Sequence, residues 1–296
     1  MRTTQTALRR ATSLAICAMA IGSARADVAT AISYDTQNLQ HTSWLVPAAV
    51  NQSDPVASAV SVANFPPIGT AGHGTYMDIY ASSKASGQME VAIDRLRAGG
   101  RVDSVASWHD TINNQSGNSQ NYRMNLDLSS LNASMGGFIS NTSQRDFRAG
   151  FVANVLVNGI SVWQTAQTFK LTGNQASVVK NGVDIGDATV TQGGSDNADF
   201  SFALSNYQGS ANLGSFASGQ SADVTYQLST FAYWDDPAGC SYECGQVSIR
   251  AVDPLGAGGS RIVSAPVPEP ESYALLLGGL GVVAGVVARR RRALLK

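Results

Sequence analysis

The chain has 296 residues and a formal charge of −1 at pH 7, but that near-neutral total joins unlike parts. Residues 27–266 hold 11 Lys and Arg against 19 Asp and Glu, a net −8, while the cationic residues crowd toward the two ends. An acidic body of this kind argues against nucleic acid as a partner, whose phosphates demand a basic face, and it favours solubility outside the cell.

At the N-terminus, Arg2, Arg9 and Arg10 precede a short apolar stretch over residues 11–22 built on Leu14, Ala15, Ile16, Met19 and Ile21. Ala24 and Ala26 then place small residues at −3 and −1 of a cleavage point before Asp27. A dozen apolar residues cannot span a bilayer, so residues 1–26 read as a signal peptide removed by signal peptidase. Arg9-Arg10 hints at a twin-arginine route, but the surrounding residues fit the general secretory route better.

From residue 27 onward the dominant period is two. Met89, Val91 and Ile93 alternate with polar residues, as do Tyr122, Met124, Leu126 and Leu128, and Phe151, Ala153, Val155 and Val157. Asn158-Gly159 then leads into Ile160 and Val162, a strong hairpin signal because both turn residues must adopt positive φ. Asn181-Gly182 predicts a second hairpin between Val178-Val179 and Val183-Asp184-Ile185. Phe200, Phe202 and Leu204, then Val224, Tyr226 and Leu228, then Val247, Ile249 and Ala251, continue the pattern. The stretches 113–121, 192–197 and 209–219 are rich in Gly, Ser, Asn and Gln and read as connections. The expected fold is all-β: one antiparallel β-sandwich of jelly-roll type over residues 27–256. Residues 257–266, with Gly258-Gly259-Ser260, read as a flexible tether.

Candidate chemistry in this body is sparse. Cys240 and Cys244 are an even pair in an oxidising compartment and predict one small disulfide loop, since two thiols alone cannot close a zinc site. His41, His73 and His109 fall in no metal or nucleophile motif and read as structural. Asp184, Asp187, Asp196 and Asp199 form the best local calcium candidate, but without the order of a calcium loop, so an acidic surface loop is the plainer reading and no metal is assigned. Paired carboxylates also leave open a glycoside hydrolase, which would need two of them facing across a cleft. Trp234 with Asp235 and Asp236 is the first place to look for a sugar platform, set against burial, the commoner fate of a tryptophan.

The last thirty residues form three blocks. Val267-Pro268-Glu269-Pro270 is stiff and extended, because each proline fixes its own φ and pushes its predecessor out of the helical region. Residues 273–288 carry no charge and would make an apolar helix of about 24 Å, with Arg289, Arg290, Arg291 and Arg292 as a cytoplasmic stop-transfer run. This arrangement over 267–296 resembles the PEP-CTERM sorting signal of exopolysaccharide-producing Gram-negative bacteria. The resemblance implies that Pro268, Glu269 and Pro270 are recognised by a membrane-embedded exosortase, which cleaves nearby and passes the protein to the cell surface. With no catalytic motif in the body, the expected reading is a non-enzymatic surface or extracellular-matrix protein without a cofactor, structural or adhesive; its association with the matrix and with exopolysaccharide is what the resemblance of the tail implies. A secreted carbohydrate-active hydrolase and a calcium-stabilised adhesion module on the same scaffold are the alternatives.

Overall fold

A computed structural model describes residues 27–34, 49–54, 56–64, 77–96, 100–137, 146–193, 199–234, 245–255, 261–266 and 279–280. Their strands are β1 (Val28–Tyr34), β2 (Ala49–Asp54), β3 (Ala57–Asn64), β4 (Met77–Lys84), β5 (Met89–Leu96), β6 (Gly100–Asn113), β7 (Gln120–Gly136) and β8 (Asp146–Val157). There follow β9 (Ile160–Thr172), β10 (Gln175–Gly182), β11 (Ala188–Gly193), β12 (Asp199–Leu204), β13 (Tyr207–Phe216), β14 (Ser221–Trp234), β15 (Gln246–Asp253) and β16 (Ile262–Pro266). They build two antiparallel sheets, ordered β10-β9-β8-β14-β6-β1-β2 and β11-β12-β7-β15-β5-β4-β3, with β13 and β16 also paired to β7. The expected antiparallel sandwich is what forms.

Period-two alternation explains the core. On β8, Phe147, Ala149, Phe151, Ala153 and Val155 are buried, and on β14 Val224, Tyr226, Leu228, Ala232 and Trp234 are buried opposite them. Phe169 of β9 stacks against Phe202 of β12, centroids 5.1 Å apart, joining the two sheets through their inner faces. The Asn158-Gly159 turn forms as expected, with φ of 50° and 78°.

Three expectations need correction. Residues 183–185 do not return as a strand after Asn181-Gly182: β10 runs through Gly182 against β9, and the chain then leaves toward the other sheet. Gly182 has φ of 82°, and a Cβ there would lie 2.2 Å from the Gln164 carbonyl oxygen, so the turn is shaped by packing against β9. The stretch 209–219 is mostly strand, because Ala211 and Leu213 point inward, although its ladder to β7 shifts register between Asn212 and Gly214. The tether is shorter than expected: β16 pairs with β7 from Ile262 opposite Met124 to Pro266 opposite Gln120, so the folded body extends to residue 266.

The end of the sandwich near Pro266 is knotted by Asn114. Its buried amide donates to the carbonyls of Asn118 (2.8 Å) and Phe216 (2.7 Å), while its Oδ1 accepts from the Ser116 backbone N–H (3.1 Å) and hydroxyl (2.7 Å). Backbone bonds between Asn114 and Gln220 and between Gly219 and Asn114 tie the 114–119 loop to the 217–220 turn. Asn114→Ala strands several buried groups, so it is expected to cost about 2–3 kcal/mol, read as a lower urea midpoint at unchanged slope.

Candidate functional site

Because Tyr226, Leu228, Ala232 and Trp234 face inward, Phe231 and Tyr233 must lie on the outer face of the seven-stranded sheet. Register then sets their neighbours. Tyr233 sits between Arg101 of β6 and Arg148 of β8, and Phe231 between Asp103 and Gly150. The Arg101 guanidinium lies over the Phe231 ring, 4.4 Å from its centroid, and that of Arg148 over Tyr233 at 5.3 Å. Arg101 grips Asp103 through Nε (2.9 Å) and Nη2 (2.7 Å); Arg148 grips Asp146 through Nε (3.1 Å) and Nη2. A Cβ on Gly150 would fall 2.4 Å from Phe231 Cε1, so only glycine leaves the ring room to lie across the sheet.

Such exposed ion pairs contribute little to stability. What they do is hold two planar guanidiniums in fixed orientation above aromatic rings, with side chains still 44% and 46% exposed. The patch therefore offers flat apolar edges, N–H donors and carboxylate acceptors side by side, a chemistry suited to vicinal hydroxyls.

A second cluster is buried at the start of β16. Arg261 binds Asp253 through Nη2–Oδ1 (2.8 Å) and Nη1–Oδ2 (3.1 Å). Its Nη2 also donates to the carbonyls of Gly87 (2.6 Å) and Leu255 (2.8 Å). Asp253 accepts further from the Tyr226 hydroxyl (2.9 Å) and the Leu255 N–H (3.0 Å), and the guanidinium lies 4.9 Å from the Tyr226 ring centroid. Burial pushes the Asp253 carboxyl above its ordinary value, and Arg261 with the two hydrogen bonds draws it part of the way back. Gly87, at φ of 95°, is required twice over, since a Cβ there would lie 2.5 Å from Arg261 Nε. This cluster is a clamp with every charge committed: it ties β14, β15, the β4–β5 turn and β16 together.

The residues singled out from sequence fare differently. Trp234 is 1% exposed and stacks on Phe147 at 5.6 Å, so it belongs to the core and cannot be a sugar platform; its neighbour Tyr233 is the ring that faces out. Asp235, Asp236, Cys240 and Cys244 lie outside the described residues, as do His41, His73 and Asp196. Asp184 and Asp187 are both held by the Lys180 ammonium, while Asp199 sits exposed on β12. Among the described residues no group of three or more His, Cys, Asp or Glu side chains is placed to hold a metal ion. His109 Nδ1 shares a hydrogen bond with Thr225 Oγ1 (3.0 Å), and burial lowers its pKa against the opposing pull of Asp27 and Asp223, the mark of a neutral structural imidazole.

Of the N-terminal signals, Ala24 and Ala26 lie outside the described residues, while the Asp27 carbonyl accepts from the His109 N–H at 2.9 Å. Val267, Pro268, Glu269 and Pro270, and Arg289 to Arg292, also lie outside them; of the apolar block only Gly279 and Leu280 are described, both helical. Among the described residues no helix is long and apolar enough to cross a membrane.

The sequence reading missed Arg101, Asp103, Asp146, Arg148 and Phe231, although a signal existed. Arg-Val-Asp at 101–103 and Asp-Phe-Arg at 146–148 each place opposite charges two residues apart, on one face of a strand. In comparison with known families, the PEP-CTERM protein-sorting motif matches residues 266–292, beginning at the last residue of β16. No curated protein matches the chain.

Proposed function

We propose that this chain, which carries the PEP-CTERM protein-sorting motif, is exported and processed by an exosortase-type membrane enzyme, and that its sandwich is a non-catalytic adhesive module binding exopolysaccharide. The observation that carries the reading is the outer-face patch of Tyr233, Phe231, Arg101 and Arg148. Its rings are pinned by register, its guanidiniums oriented by carboxylates, and its position on a sheet face suits a long polymer better than a cleft would. The interior supports a scaffold role as well. Its large side chains, among them Phe147, Phe151, Phe169, Phe202 and Trp234, are fully buried, and the buried Asp253–Arg261 pair is consumed by structure.

The test is retention of purified residues 27–266 by exopolysaccharide from the producing cells. Tyr233→Ala combined with Arg101→Ala should weaken binding about tenfold, roughly 1–1.5 kcal/mol, with the fold intact by circular dichroism. Equal binding by variant and parent would remove the patch from the account. Release of new reducing ends from the polymer would overturn the non-catalytic part and revive the hydrolase.

A further inference from the structure

We infer that in the membrane-held precursor the sandwich stands on the lipid headgroup layer by the end formed of residues 114–119 and 217–220. This rests on the sorting reading above, with the apolar block 273–288 held in the bilayer. The direction of exit is the first support. β16 runs antiparallel to β7 and ends at Pro266 opposite Gln120, the first residue of β7, so β16 points along the strand axis toward that end. Phe216, which closes β13, lies opposite the same Gln120, so the 217–220 turn sits beside the exit.

Reach is the second. Only six residues, 267–272, separate β16 from the apolar block, and they span at most about 20 Å even fully extended. The opposite end is a strand length away: β9 has 13 residues, about 40 Å, between the Asn158-Gly159 turn and the turn at Gly173 and Asn174. The short lead therefore holds one end of the body at the membrane and keeps the other from reaching it.

Charge is the third. In a body of net −8, residues 113–121, 214–222 and 262–268 contain no Asp, Glu, Lys or Arg. The first charges inward are Asp110 on β6, Arg123 on β7 and Asp223 on β14. Presenting this neutral end keeps most carboxylates more than a Debye length, about 8–10 Å, from an anionic surface. The footing is also firm, since Asn114 ties loop and turn together, and a half-buried edge-to-face pair, Tyr122 with Phe216 at 5.7 Å, lies just behind it. Aromatic side chains at that depth suit the headgroup region.

The experiment uses the full-length precursor, made in a host without the processing enzyme and reconstituted into phosphatidylethanolamine–phosphatidylglycerol vesicles. Benzoylphenylalanine is placed at Gln115, Ser218 or Thr172; all three are exposed, the first two at the proposed foot and the third at the far end. Illumination should give lipid adducts, identified by mass spectrometry, at Gln115 and Ser218 in several-fold excess over Thr172. Equal or greater yield at Thr172, or no adduct at any position from a vesicle-bound chain, overturns the orientation while leaving the sorting reading intact. A precursor that fails to enter the vesicle fraction overturns both, and fractionation alone distinguishes that case.

Discussion

Arg261→Ala is expected to cost the sandwich about 3–5 kcal/mol, the usual penalty for leaving one partner of a buried ion pair uncompensated. Asp253 would remain fully buried with only Tyr226 and the Leu255 N–H as donors, and the Gly87 and Leu255 carbonyls would lose theirs. The loss reaches beyond the pair itself. β16 is held to the body by its ladder to β7, by Ile262 packed against the core and by Arg261 just before it, while Val263 on it is 41% exposed. Releasing the clamp should therefore free the strand that leads into the sorting motif. Urea unfolding of residues 27–266 reads the cost, and amide exchange reads the release: residues 262–266 should lose protection while the β8–β14 ladder keeps its own. Replacing both partners, Asp253→Leu with Arg261→Met, should recover only part of the loss, because the Tyr226 hydroxyl and two carbonyls stay buried without partners. Full recovery would mean that the clamp is an isolated pair rather than a network.

That clamp marks the limit of what the residues reveal in linear order. Alternation over 122–128, 151–157 and 224–228 fixes which side chains face the core, because strand parity is local, and repeated strands of this kind favour a sandwich. Arg261 has no such local signature. It follows Gly258-Gly259-Ser260, the composition of a linker, and its acceptors include Gly87, 174 residues away. Pairings at that separation depend on strand order, which composition does not encode. Tyr233-Trp234 is the intermediate case. Trp234 stands out from the sequence, and once β14 is phased by Tyr226 and Leu228 the parity rule buries Trp234 and exposes Tyr233. Its partners Arg101 and Arg148 come from two other strands, so the patch needed the register, although each Arg–Asp couple was visible in the chain.

Glu269→Ala should leave the precursor uncut in the membrane fraction, with the surface form nearly absent. Proline flanks Glu269 on either side, and proline disfavours helical backbone at the residue before it. An enzyme that reads such a box meets one charge in a rigid frame, and losing a charge paired in a desolvated site costs about 2–5 kcal/mol, a slowing of roughly 30-fold or more. Glu269→Gln keeps the shape and removes the charge, so it should fail almost as fully if charge is what is read. Glu271→Ala, one proline further on, should be processed normally, since it lies beyond the proline pair that flanks Glu269. Immunoblots of fractionated cells separate the outcomes by size and compartment. Normal cutting of Glu269→Ala would mean that recognition rests on the prolines and the neighbouring membrane segment. In that case the short lead from β16, rather than the carboxylate, would be what presents the cleavage site to the enzyme.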